Sequence, residues 1–146
     1  MELPVCRAIR QVHHAAESIT LTYDDRFLRR KVLRTDAGER FLVDLDQTTS
    51  LNEGDAFELE DGRSVRVKPA TEELLEVTGA DLVRLAWHIG NRHTPCQIEQ
   101  YRLLIQRDRV LRDMLEKLGA NLREVVESFT PEGGAYGHGR THGHAH

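Results

Sequence analysis

Only two cysteines occur in the sequence, Cys6 and Cys96, far apart and forming no CxxC pair. That scarcity argues against a disulfide framework or a zinc ribbon and leaves two free thiols. Long apolar runs are missing too. Nothing approaches the ~18 residues of a membrane span, and the opening "MELPVCRAIRQV" has no apolar signal-peptide core, so a cytoplasmic protein with no membrane partner is expected. Basic character is also lacking. The formal charge is −4 with both signs interspersed, which leaves no stripe able to neutralise phosphates and argues against nucleic acid as a partner. Catalytic signatures are absent as well: there is no GxSxG, HExxH, GxxxxGK[ST] or GxGxxG. The paired acids Asp24-Asp25 and Glu72-Glu73 read as solvated turn residues, and the stretch "RFLRRKVLR" as a solvated strand face. The chain is not expected to be an enzyme.

What is present falls into two halves and a tail. With 146 residues, the chain can bury a sizeable core without covalent staples. The first half carries short alternating runs, "SITLTY", "KVLRT", "RFLVDL" and "AFELEDGRSVRVK", separated by turn signals at Asp36 to Glu39, Asn52 to Asp55 and Asp61-Gly62. A small antiparallel β domain over residues 1–70 is expected, ending where Pro69 disfavours a continuing central strand. The second half changes period. "EELLEVTG" reads as a strand, and Leu82, Leu85, Ala86 and Ile89 mark an amphipathic helix stopped by Gly90-Asn91. "CQIEQYRLLIQ" supplies two strands, a second helix runs from the N-cap Asp108 to Gly119, and "NLREVVESF" closes the half as a strand. That order predicts an α+β chain whose residues 71–136 form a ferredoxin-like βαββαβ domain. Residues 137–146 are glycine-rich, nearly devoid of large apolar groups, and expected to be a flexible, disordered tail.

The histidines carry the chemistry. His138, His142, His144 and His146 are separated only by small or polar residues, a composition able to wrap several imidazoles around one borderline metal ion. His93 is different, because it lies between the helix stop and Thr94-Pro95, where the backbone is restricted and a side chain projects from a rigid corner. One histidine is nevertheless too few for a transition metal, which takes about four to six donors. Neighbours or a second copy of the chain must complete such a site. His88 sits on the flank of the first helix, Cys96 reads as either a soft donor or a small core residue, and His13-His14 lie in a strand-like segment that sends adjacent side chains to opposite faces.

The stretch "GNRHTPCQ", followed by "RDRVLRDMLEKLGA", "PEGGAYGHG" and a histidine-rich end, resembles the urease accessory protein UreE family of nickel metallochaperones. "DRFLRRKVLRTDAGERFLVDL" and "GDAFELEDGRSVRVK" are similar to that family's N-terminal β domain, so the likeness covers essentially the whole chain. The resemblance implies a homodimer that binds Ni²⁺ and passes it, through a GTPase accessory partner, to apo-urease for assembly of its dinickel centre. It maps the family's bridging histidine onto His93 and makes the first half a partner-contacting domain. Some members carry two further histidines at the start of the second helix. Here those positions are Arg107 and Arg109, so the auxiliary sites are expected to be absent. Imidazole donors also suit Zn²⁺ and Cu²⁺, so preference for nickel comes from the resemblance alone. Two competing readings stay open: a histidine-rich metal-storage protein in which the tail does everything, and a metal-dependent enzyme with an intrachain His93/Cys96 site.

Overall fold

The structure, a computed structural model, describes residues 2–133. The histidines of the tail, His138, His142, His144 and His146, lie outside the described residues, as does the expected disorder of that segment. The chain divides into two compact units, the first ending at Ala70 and the second beginning at Thr71.

The first unit is a six-stranded sheet in the spatial order β2-β6-β5-β1-β4-β3. Its strands are β1 (Val5–Gln11), β2 (Glu17–Leu21), β3 (Phe27–Arg34), β4 (Arg40–Ser50), β5 (Asp55–Leu59) and β6 (Ser64–Pro69). The expectation of an antiparallel domain is corrected here, because β1 runs parallel to β4 and β2 parallel to β6. Alternation assigns a residue to a face but does not give strand direction, and parallel neighbours arise from crossovers that only the tertiary fold sets. β1 carries little alternation at all. Its register with β5 shifts between Cys6 and Ala8, so the residues turned to the core, Cys6 and Ile9, fall three apart. The strand-like reading of His13-His14 is likewise overturned. Pairing of β1 with β5 ends at Gln11 and Asp55, the Val12 N–H turns to the Gly54 carbonyl at 3.0 Å, and both histidines lie exposed in the loop before β2.

The sheet curls until its two edges meet at Asp36. The Asp36 N–H donates to the Ser18 carbonyl at 2.9 Å, while its carboxylate accepts from the Ser18 hydroxyl at 2.7 Å and the Thr20 N–H at 3.0 Å. Inside the curl, Phe41 and Phe57 pack with ring centroids 5.4 Å apart, among Val43, Val65, Val67 and Leu51. Each such side chain, fully buried, contributes roughly 1.5–3 kcal/mol relative to exposure.

The second unit runs β7 (Thr71–Thr78), α1 (Leu82–Asn91), β8 (Gln97–Ile98), β9 (Leu103–Gln106), α2 (Arg109–Lys117) and β10 (Asn121–Ser128). This is the element order that the change of period predicts. The strands form an antiparallel sheet in the order β10-β7-β9-β8. Each helix starts on an aspartate cap: Asp81 accepts from the Arg84 N–H at 3.1 Å, and Asp108 from the Leu111 N–H at 3.0 Å. Leu85 and Ile89 on α1, with Leu111 and Leu115 on α2, are buried against Leu75, Val77, Leu103 and Ile105, so both helices cover one face of the sheet. Across the other face lies a charged lattice. Arg102 reaches Glu99, Glu76 and Glu127 at 3.1, 3.1 and 2.7 Å, and Arg123 meets Glu76 at 3.1 Å.

Candidate metal-binding corner

His93 stands at the exit of α1. The helix ends at Asn91, at the Gly90-Asn91 stop that the sequence predicts, but both residues stay helical and the left-handed reversal falls on His93, whose φ is +57°. The hydrogen bonds define the motif. The His93 N–H donates to the Gly90 carbonyl at 2.9 Å and the Thr94 N–H to the Ile89 carbonyl at 3.4 Å, the paired closure of a Schellman cap with His93 as its left-handed residue. α2 ends on the same closure. There the Gly119 N–H meets the Glu116 carbonyl, the Ala120 N–H meets the Leu115 carbonyl, each at 3.0 Å, and the left-handed residue is a glycine at φ +86°.

The two caps differ in one respect, the side chain at the turn. Among the described residues His93 alone of the non-glycines has positive φ, a conformation costing an L-residue on the order of 1–2 kcal/mol. The corner holds an exposed imidazole where glycine relieves the strain. Pro95 contributes by disfavouring helical backbone at Thr94, so the chain leaves the turn extended.

Its neighbours supply little ligation. Cys96 is 8% exposed and packs in the core with Ile89 and Leu103. Burial, helped by the nearby Glu132 carboxylate, pushes its thiol up to about 11, so it stays protonated and a poor ligand near neutral pH. His88 is half-buried, its ring edge-on to Trp87 with centroids 5.0 Å apart. Arg107 is occupied structurally, donating to the Leu74 and Val125 carbonyls at 3.1 Å each, and Arg109 opens α2 as an exposed residue. Among the described residues no three His, Cys, Asp or Glu side chains gather closely enough to hold a metal ion.

Two features escaped the sequence reading. Trp87 and Val83, one turn apart on α1, are 62% and 83% exposed, an apolar pair turned away from the core; their places off the Leu82/Leu85/Ile89 stripe were legible. The other had no local signal. Beyond β10 the chain returns to β8, where the Thr130 N–H donates to the Gln97 side chain and the Glu132 N–H to the Cys96 carbonyl, each at 2.8 Å. The last described residues are thus pinned at Cys96 and Gln97, three and four positions from His93.

Comparison with known proteins accounts for both halves. Residues 3–70 match the family described as UreE urease accessory protein, N-terminal domain, and residues 72–146 match its C-terminal domain. Urease accessory protein UreE of Ruegeria pomeroyi is 69% identical over 149 aligned positions that cover 100% of both chains. Its counterpart in Cereibacter sphaeroides is 64% identical over 132 positions, covering 90% of this chain and 72% of its own. That of Rhodobacter capsulatus is 58% identical over 132 positions, covering 90% and 84%. These relatives are named as accessory proteins rather than enzymes. No helix among the described residues is long and apolar enough to cross a membrane. With its two halves matched in order and its whole length covered by a close relative, the chain belongs to the UreE urease accessory protein family.

Proposed function

We propose that this protein is a cytoplasmic nickel metallochaperone for urease maturation. It binds Ni²⁺ between the His93 imidazoles of two copies and releases it, with a GTPase accessory partner, into apo-urease. The observation that carries this reading is the left-handed His93 at a cap where α2 uses Gly119. Strain retained at an exposed imidazole is the mark of a residue kept for what its side chain does. The described residues of one chain offer too few donors near His93, so the ion needs a second copy, the tail, or both. The exposed Val83/Trp87 pair on α1 gives the ferredoxin-like half an apolar surface suited to meeting its own copy about a two-fold axis. Histidines 138, 142, 144 and 146 then act as a pool of further ligands carried on the same chain.

The chemistry suits a carrier. Ni²⁺ is cargo, so the site must give it up, and a site split across a symmetry axis can surrender its ligands one at a time to an incoming partner. Zn²⁺ and Cu²⁺ compete for the same imidazoles, and nickel preference rests on coordination geometry and supply. The first unit serves as the surface for partner proteins. An intrachain His93/Cys96 enzyme site is disfavoured by the buried, protonated thiol. Native mass spectrometry of the nickel-loaded protein tests the proposal. One tightly held ion per dimer supports it, whereas one per chain, independent of oligomeric state, sinks it.

A further inference from the structure

The loop carrying His13 and His14, set aside by the nickel reading, closes over a cleft of about 170 Å³ in the first unit. Its walls are His13, His14, Glu17 and Ser18 on one side and Arg66 and Lys68 of β6 on the other. In "SVRVK", Val65 and Val67 fill the core, so Arg66 and Lys68 both point to the outer face, two like charges two residues apart on one strand. Such a pair calls for a carboxylate opposite. Elsewhere the sheets provide one: Arg30 faces Asp44 at 3.2 Å, Arg10 meets Glu58 at 2.7 Å, and Arg123 faces Glu76 at 3.1 Å. Around β6 they do not. The partners of Arg66 are Ser18 on β2 and Ala56 on β5, and the partner of Lys68 is Thr20.

The acids nearby are already engaged. Glu17 lies 3.5 Å from Arg63, and Asp36, which feels the Lys68 charge, accepts from Ser18 and Thr20. Arg66 makes no ion pair among the described residues, and its Nε is the only buried side-chain nitrogen or oxygen among them without a hydrogen-bond partner. Leaving such a donor unsatisfied costs free energy, which an acceptor can recover.

We propose that this cleft binds an oxyanion, a carboxylate or phosphate group presented to the first unit. A small swing of the guanidinium brings its Nε–Nη edge to two oxygens in the planar, bidentate geometry that suits either group. Lys68 adds a point charge, and the His13 and His14 imidazoles supply donors from the loop. The volume falls below the ~300 Å³ at which small-molecule pockets begin, so the cleft takes a group rather than a cofactor. Two fixed cations on its wall repel a metal ion. The site shares no residue with the His93 corner, so either can fail without the other.

The test is a titration of the full-length, ¹⁵N-labelled protein, following Arg Nε–H signals and the amides of residues 13–18 at about 20 mM salt, where screening is weak. Three probes are used: inorganic phosphate, a short glutamate-containing peptide, and the same peptide with glutamine. Saturable shifts at Arg66 and the loop with phosphate or the glutamate peptide, roughly tenfold weaker in Arg66→Gln and unchanged in Arg10→Gln, support the site. Tighter binding of the glutamate peptide than of phosphate makes a protein carboxylate the ligand; the reverse order makes it a phosphate group. Should Arg66→Gln fold poorly, Lys68→Gln removes the exposed neighbouring charge and must weaken binding several-fold. No saturable shift with either anion, equal response to the glutamine peptide, or binding indifferent to both substitutions overturns the proposal.

Discussion

The Glu132 N–H donates to the Cys96 carbonyl at 2.8 Å, bringing the end of the described chain to the corner that bears His93. Ligands carried on the same chain as a metal site compete for the ion at a far higher effective concentration than a free peptide does. Deleting residues 134–146 is therefore expected to lower the number of Ni²⁺ ions bound and slow capture at limiting metal, while one tight event per dimer remains in calorimetry. Disappearance of that event on truncation places the tight site in the tail and contradicts the reading.

Cys96 gives a prediction at alkaline pH. Burial, the larger cause, and the Glu132 charge raise its thiol from 9.0 to about 11 in the fold. A raised pKa means that the folded state holds this proton more tightly than the unfolded chain. Its contribution is complete below pH ~9 and is lost as pH rises through about 11, with a magnitude on the order of 2 kcal/mol. Urea denaturation of wild type between pH 8 and about 11 should show this decline, and Cys96→Ala should lack it. The same variant should keep its tight nickel site. Loss of nickel there restores the thiol as a ligand.

Arg102, in the turn between β8 and β9, pairs with Glu99 of the same turn, Glu76 on β7 and Glu127 on β10. Glu76 is held below its ordinary range chiefly by Arg123 and also by Arg102, and Glu127 chiefly by Arg102. A lowered carboxylate pKa stabilises the fold above the ordinary value and loses that contribution as pH falls through the folded one. Glu127 is 37% exposed and screened, so Glu76, at 14%, dominates. Arg102→Ala should destabilise the second unit by about 1–2 kcal/mol at neutral pH and by clearly less at acid pH, once the pH has fallen through the lowered folded-state values of Glu76 and Glu127. Equal loss at both pH values makes Arg102 a packing residue only.

The second unit was readable because its signals are local. Asp81, Asp108 and Gly119 act within one turn of themselves, and Leu85/Ile89 and Leu111/Leu115 repeat at helical spacing. The first unit hid more, because its register and direction depend on distant partners. β1 is paired out of register around Cys6, and its parallel neighbour β4 arrives only after two intervening strands. His93 shows the same division. Its place near a helix stop was visible in "GNRHTP", but its left-handed backbone was not, since propensity assigns that conformation to Gly90 or Asn91. The return of Glu132 to Cys96 links residues 36 positions apart and leaves no trace in either stretch.

The left-handed backbone of His93 separates folding from function in one pair of substitutions. His93→Gly removes the side chain and relieves the strained φ, so it should stabilise the second unit by about 0.5–1 kcal/mol, raising its melting temperature by a few degrees. His93→Ala keeps a Cβ at positive φ and should lack that gain. Both variants remove two symmetry-related imidazoles from the proposed dimer site at once, so both should lose tight nickel binding even though one is more stable than wild type. Calorimetric titration and thermal unfolding are run on wild type and the two variants, all lacking residues 134–146 so that tail histidines cannot mask the result. Wild-type affinity should also fall steeply between about pH 7.5 and about pH 5.5, since metal and proton compete for imidazole. A His93→Gly protein that is more stable and still binds one tight Ni²⁺ per dimer shows the histidine to be a tolerated misfit in a glycine's place. Loss of the metal together with that gain in stability makes the strain at His93 the cost of presenting a ligand.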